Sequence, residues 1–216
     1  SLSLGGLTDG ISVMEMAGAY QPFVNRGKYT KPYTYTKVLD HEGKVILEKK
    51  KEPNVAMSEQ TAFLMTQMLK GVVDSGTGTA AKLSSGMPAA GKTGTTSDDV
   101  DRWFIGYTPY YVGAVWFGFD QPKSLDAIHY NPTVGIWKTV MDHVHSGLTI
   151  KQFAEPSGIV QASICVDSGH IPTDLCSRDP RGSRVRTEYF KKGTEPTKSC
   201  NVHRLEKVCN TSMMLA

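Results

Sequence analysis

No stretch of this 216-residue chain approaches the roughly 18 consecutive apolar residues that a membrane-spanning helix needs. No secretory leader opens it, and no internal repeat is evident. The paired Cys-x-x-Cys spacing of common zinc motifs is absent. Histidine is sparse and scattered. His143 and His145 stand two apart on a helical pattern, so their rings diverge, while His129, His170 and His203 are isolated, and no catalytic His/Asp pair can be argued. What remains is an ordinary globular composition: 39% hydrophobic residues, mean hydropathy −0.28, and a length for one large domain or a domain and a half.

Charge is nearly balanced at +3 but unevenly placed. From Cys176 onward nine Lys/Arg stand against four Asp/Glu, while the preceding part carries 15 against 17. Arg178, Arg181, Arg184, Arg186, Lys191 and Lys192 supply most of the excess. Such a run ordinarily just keeps a segment solvated; beside a membrane it would favour anionic lipid or wall polymer. Cysteine is confined to positions 165, 176, 200 and 209. An even count in a loop-rich region suggests disulfides or free thiols, and Cys165–Cys176 and Cys200–Cys209 would each close a short loop. A zinc site drawing on Cys200-x-x-His203 is the rival, disfavoured by the missing Cys-x-x-Cys pairs. No metal and no cofactor are expected.

The most informative run is Gly91-Lys92-Thr93-Gly94-Thr95-Thr96. Together with Gly86-Met87-Pro88-Ala89-Ala90 it spells a nucleotide-binding P-loop. That motif needs a buried strand before its first glycine and a helix starting at its Lys-Thr. Lys82-Leu83-Ser84-Ser85 is too polar and short for the strand, and Gly94-Thr95-Thr96-Ser97 disfavours the helix. As a strand the run is coherent. Residues 103–108 and 110–119 are aromatic and β-branched with Pro109 between them, so three consecutive antiparallel strands are expected, 91–96 first. Alternation then puts Thr93 and Thr95 on one face, and Lys92 and Gly94 on the other. Two aligned hydroxyls suit a carboxylate, a neighbouring backbone N–H suits an oxyanion, and Gly94 opens room for a close backbone or helix. An exposed edge strand with a protective lysine is the plainer alternative.

The rest of the chain reads as helices around that sheet. Ser12-x-x-Glu15 is a capping box, followed by Val13, Met16, Ala17, Tyr20 and Val24 at helical spacing until Gly27. Residues 33–49 form a hairpin turning at Asp40–Gly43. Ser58 begins a second helix that stops by Gly76, and a third runs from about Thr133 to His145. Glycine-rich 76–86 reads as a mobile connection that could line a site. Asp98-Asp99-x-Asp101 lies in a turn, where acidic residues are common and a cation site is not needed; Asp101 is expected to fix Arg102 or nearby backbone. Composition changes at Pro156, dividing the chain into residues 1–153 and an irregular, basic, cysteine-bearing extension, 154–216. The fold class expected is α/β (α+β), a mainly antiparallel sheet flanked by helices.

Gly91–Thr96 followed by Asp101-x-Trp103-Phe104-x-Gly106-Tyr107-Thr108-Pro109 resembles the transpeptidase domain of class A penicillin-binding proteins. Leu4-Gly5-Gly6 with Met16-Ala17-x-Ala19-Tyr20, Gly76-Thr77-Gly78-Thr79-Ala80, and Glu188–Pro196 with Cys200-x-x-His203 are similar to other stretches of that family. The resemblance implies part of a serine D,D-transpeptidase that cross-links peptidoglycan stem peptides and is acylated by β-lactams. Its location would be the extracytoplasmic face of the membrane, with an anchor outside this chain and no nucleic-acid partner. Catalytic roles would fall to Lys92 and Thr95, and substrate contacts to Thr93, Gly94, Thr95 and Thr96. The family's Ser-x-x-Lys is absent, and Ser-x-Asn occurs only as Ser199-Cys200-Asn201 on the wrong side of the Lys-Thr-Gly run. With Ser1 entering mid-domain, the expectation is a fragment that does not acylate alone. The competing classes are a non-catalytic wall-binding or assembly module, a carboxypeptidase or β-lactamase, and a P-loop nucleotide binder.

Overall fold

Ser12 starts the first helix, α1 (Val13–Val24), by direct capping. Its hydroxyl accepts from the Glu15 N–H at 3.2 Å, and the Glu15 carboxylate accepts from the Ser12 N–H at 3.0 Å, so two otherwise orphaned donors are satisfied. The chain leaves α1 through Gly27 at φ +77°, where a Cβ would sit 2.0 Å from the Met57 carbonyl. This computed structural model describes Leu7 and residues 10–206, so Leu4-Gly5-Gly6 and Cys209 lie outside the described residues.

Short strands follow: β1 (Lys28–Tyr29) pairs with β4 (Asn54–Val55), and β2 (Lys37–Leu39) with β3 (Val45–Glu48). The hairpin turns at Asp40, whose carboxylate accepts from the N–H groups of Glu42 and Lys44 at 3.0 and 2.9 Å. Helix α2 (Glu59–Ser75) begins at Ser58, whose hydroxyl takes the Thr61 N–H at 3.1 Å. Helix α3 (Pro132–Val144) begins at Asn131, with proline in its first turn.

The central sheet is antiparallel in the order β5 (Ala90–Thr95), β6 (Asp101–Tyr107), β7 (Val112–Gly118). Its register aligns Gly91, Gly106 and Gly113 across all three strands. That bare stripe receives the buried indole of Trp137 from α3, which donates to the carbonyls of Gly106 at 3.2 Å and Gly113 at 3.1 Å. A Cβ on Gly106 would lie 2.8 Å from the indole. The same face carries Phe104, edge-on to Trp137 at 5.3 Å, within a core of Val73, Ala81, Leu83, Val134 and Met141. On the opposite face Ala90 and Tyr107 pack with Leu69 of α2 and with Tyr20 and Phe23 of α1. The pleat sends alternate side chains to these two cores, so register fixes which core each residue joins. Tyr107 is fully buried, its hydroxyl 3.0 Å from that of Thr66, and burial pushes its pKa well above the ordinary range.

The segment after α2 is not the open, mobile connection that its glycines suggest. It contains a 3-10 turn, Thr79–Ala81, and buries Ala81 and Leu83 in the core, because small and apolar residues between the glycines reach inward.

The chain divides into two compact units, Ser1–Pro156 and Ser157–Ala216. Where the sequence reads as irregular, the second unit holds an antiparallel hairpin of β8 (Ile159–Cys165) and β9 (Val185–Lys191), with Ile159 opposite Lys191 and Cys165 opposite Val185. A one-turn helix, α4 (Asp174–Ser177), lies between the strands in sequence.

Gly106→Ala should destabilise the chain by about 1–3 kcal/mol through overpacking against Trp137. Gly135→Ala, on the exposed side of α3 with nothing within 4 Å, should instead add up to about 1 kcal/mol of helix propensity. Urea melts of the two variants test this; equal destabilisation would contradict the packing described.

Candidate active site

The Lys-Thr-Gly run occupies β5, at the edge of the sheet, with β6 its one neighbouring strand among the described residues. Lys92 and Thr93 are mid-strand, with no helix starting there, so the backbone does not form the cradle a P-loop requires. Thr96 donates its N–H to the Asp101 carbonyl at 3.2 Å, across to β6. In an antiparallel strand the N–H and C=O of one residue point the same way, and successive residues alternate. Lys92 and Gly94 therefore spend their backbone groups on β6. Thr93 and Thr95 direct theirs to the free edge.

The side chains complete this edge. Lys92 is exposed, and its ammonium folds over the rim to donate to the Thr93 carbonyl at 2.8 Å. The Thr93 hydroxyl lies 3.0 Å from that of Thr77, in the loop after α2. Thr95 is exposed at the strand end, on the same pleat face as Thr93. A fixed cation, two backbone N–H groups and two or three hydroxyls thus converge along one rim, a set suited to a carboxylate and a developing oxyanion. Thr77 was not singled out among the sequence's candidate residues. The signal lies in Gly76-Thr77-Gly78, where two glycines let the chain approach the strand.

The Thr96 hydroxyl accepts from the N–H groups of Val100 and Asp101 at 3.2 and 3.0 Å and closes the β5–β6 turn. One expectation is corrected. Gly94 does not admit a backbone or a helix; a Cβ there would meet the Trp103 side chain at 3.3 Å. The close approach occurs at Gly91, where a Cβ would sit 2.7 Å from both the Ile105 carbonyl and the Phe104 ring.

The acidic turn braces the site from below. Asp99, at φ +46°, forms a two-point pair with Arg102, and Nε to Oδ1 measures 2.8 Å. Arg102 is buried and also donates to the carbonyls of Leu125, Ile128 and Tyr130, pinning the segment between β7 and α3. Asp101 turns to Trp116 instead of Arg102, accepting from its indole N–H at 2.8 Å, because in an extended strand adjacent side chains point to opposite faces. The hydrogen bond from Arg102 holds the Asp99 carboxyl below its ordinary value of 3.8. His145 is likewise structural: it is buried, with Nδ1 2.7 Å from the Met141 carbonyl and Nε2 2.7 Å from the Thr108 hydroxyl. A concavity of about 530 Å³ lined by Met14, Gln21, Pro32, Pro109 and Tyr111 contains no residue of β5.

An antiparallel sheet covered by helices on both faces, edged by Lys-Thr-Gly, defines a class that comparison makes specific. Residues 1–132 match the penicillin binding protein transpeptidase domain, and residues 155–205 match the penicillin-binding protein 1A C-terminal domain. The chain belongs to the penicillin-binding protein transpeptidase family. It is 43% identical over 204 residues to penicillin-binding protein 1A of Clostridium botulinum (strain Langeland), covering 94% of this chain and 24% of that protein. The chain thus spans about a quarter of that relative's length. Penicillin-binding protein 1A of Haemophilus influenzae shares its fold, with a TM-score of 0.72 at 23% identity over 88% of this chain and 33% of the other. The D,D-transpeptidase domain of an Eggerthella lenta peptidoglycan glycosyltransferase gives a TM-score of 0.52 at 28% identity, over 64% of this chain and 33% of the other.

The lowered Asp99 value fixes a sign. A carboxyl depressed in the folded state contributes stability that is complete above its unfolded value and lost as pH falls through its folded value. The stability gap between the chain and Asp99→Asn should therefore be constant near neutrality and narrow below the ordinary 3.8. Denaturant midpoints across acid pH measure it; a gap that does not narrow would remove the ion pair from the account.

Proposed function

We propose that the chain supplies the Lys-Thr-Gly rim of a peptidoglycan D,D-transpeptidase, acting on D-alanyl stem peptides and acylated by β-lactams outside the cytoplasmic membrane. The observation that carries this reading is the free edge of β5. Lys92 lies along it, and the Thr95 N–H points away from β6, which supports its use as an oxyanion donor.

In this reading a serine outside the chain attacks the penultimate D-Ala carbonyl. The C–N bond breaks, the terminal D-Ala leaves with a proton, and the serine ester then passes to an acceptor amine. Thr95 N–H stabilises the tetrahedral oxyanion. The hydroxyls of Thr93 and Thr95 hold the donor's terminal carboxylate, with Thr77 fixing the rotamer of Thr93. Lys92 lowers the cost of negative charge at the site and assists proton transfer. Gly94 keeps the strand flat beside Trp103. The second unit is an accessory extension.

A non-catalytic wall-binding module is the one rival that an observation favours, since Ser-x-x-Lys is absent from the chain. Labelling with fluorescent penicillin separates the two. The full-length protein should label and this chain alone should not; a full-length product that never labels would support the wall-binding module. Within the full-length protein Thr95→Pro removes the edge-facing N–H while sparing the β5–β6 ladder, as proline tolerates such positions. It should slow acylation by about 10²–10³-fold, on the order of 3 kcal/mol. Lys92→Ala should cripple acylation similarly. Near-normal acylation of both variants would overturn the assignment.

A further inference from the structure

The second unit brings three thiols and one imidazole to a single point. Cys165 closes β8, Cys176 lies in α4, Cys200 follows the bridge between Ile171 and Ser199, and His203 comes three residues later. One ligand atom from each lies within 4.8 Å of all the others. Cys165 and Cys176 are fully buried and Cys200 is 9% exposed. All three are free thiols, so the short Cys165–Cys176 loop that the sequence allows is not closed.

Cys165 Sγ stands 3.5 Å from His203 Nδ1, and Cys200 Sγ stands 3.4 Å from the same nitrogen. One imidazole nitrogen takes part in one hydrogen bond, so two sulfurs converging on it are not both satisfied by a proton. A tetrahedral zinc ion satisfies them together. With Zn–S about 2.3 Å and Zn–N about 2.0–2.1 Å, the S···N edge of the tetrahedron is about 3.6 Å and the S···S edge about 3.8 Å.

The surroundings are built for the same purpose. His203 Nε2 lies 3.0 Å from Asp179 Oδ2 and 3.3 Å from Asp167 Oδ2. That partner holds the proton on Nε2 and leaves the Nδ1 lone pair facing the sulfurs, the usual carboxylate–histidine–metal relay. The two aspartates do not form a cation site of their own, because Arg181 and Arg184 occupy their oxygens at 2.8–3.1 Å. Thr173 donates its N–H to Cys176 Sγ at 3.3 Å and so fixes the orientation of that sulfur. Among the described residues of this unit no other apolar side chain is buried: the three cysteines are its core. A unit of about 60 residues with so little apolar burial needs a covalent or metal staple.

We propose that Cys165, Cys176, Cys200 and His203 form a structural zinc site that holds the second unit together. Zinc displaces three thiol protons to solvent and forms three Zn–S bonds and one Zn–N bond with no change of oxidation state. All four positions are filled by protein, so the ion has no place for a reactive water and is not catalytic. The sequence hides this site because only Cys200-x-x-His203 has close ligand spacing; the other two ligands arrive through the hairpin and α4.

The chain, purified from zinc-supplemented medium without chelator, should contain one zinc by elemental mass spectrometry. Its cobalt(II) derivative should show the intense visible absorption of tetrahedral thiolate ligation, a readout that needs no variant. Cys176→Ser should lose the metal, whereas Cys209→Ser should keep it. Asp179→Asn, which leaves all four ligands, should weaken zinc affinity about 10–100-fold in chelator competition. A folded, metal-free chain whose thiols are joined as disulfides by intact mass would overturn the proposal, as would full zinc content in Cys176→Ser.

Discussion

The site depends on an accounting of backbone hydrogen bonds: β5 has a neighbour on one side only. Every second residue of the strand is committed to β6, and every other residue directs its donor and acceptor outward, where no strand among the described residues takes them. The Thr96 to Asp101 bond sets which set is which, and so turns Thr93 and Thr95, not Lys92 and Gly94, to the open side. A shift of β5 by one residue against β6 would exchange them and would also carry Ala90 and Gly91 to the wrong faces. The glycine stripe makes that shift costly, since Gly106 and Gly113 leave room for the Trp137 indole and Gly91 leaves room for the Phe104 ring and the Ile105 carbonyl. Packing on the buried face therefore fixes chemistry at the rim.

The same logic explains what the sequence disclosed. The helices over 13–24 and 59–75 are written in their caps, Ser12 and Ser58, and in apolar spacing; the third is written in apolar spacing alone, and its Asn131 cap emerges from the structure. The three-stranded sheet is written in aromatic runs broken by Pro109. The edge rim is also legible, because period-two alternation assigns Thr93 and Thr95 to one face without any tertiary information. The roles of Thr96, Gly94, Asp99 and Asp101 are not legible. Each depends on which turn closes between β5 and β6, and a turn containing Asp99 at φ +46° is set by Arg102 reaching across to the 125–130 carbonyls.

The second unit shows the opposite balance. Its second strand, β9, carries three charged residues among its seven and is mostly exposed, so hydrophobic periodicity carries little signal there. The arginines that read as a basic surface are largely absorbed, since Arg181 and Arg184 pair with Asp167 and Asp179. Those pairs stand behind His203, which ties the charge pattern of this unit to its cysteine cluster. The two units thus solve the problem of holding a fold differently: one by layering helices on a sheet, the other by gathering ligands from three separated segments.

Residue-resolved amide hydrogen exchange on the chain tests the edge geometry most directly. The account predicts protection at Lys92, Gly94 and Thr96, whose N–H groups are spent on β6, and rapid exchange at Thr93 and Thr95. Protection at Thr95, or exposure at Gly94, would place the oxyanion donor on the wrong side of the strand and contradict the assignment.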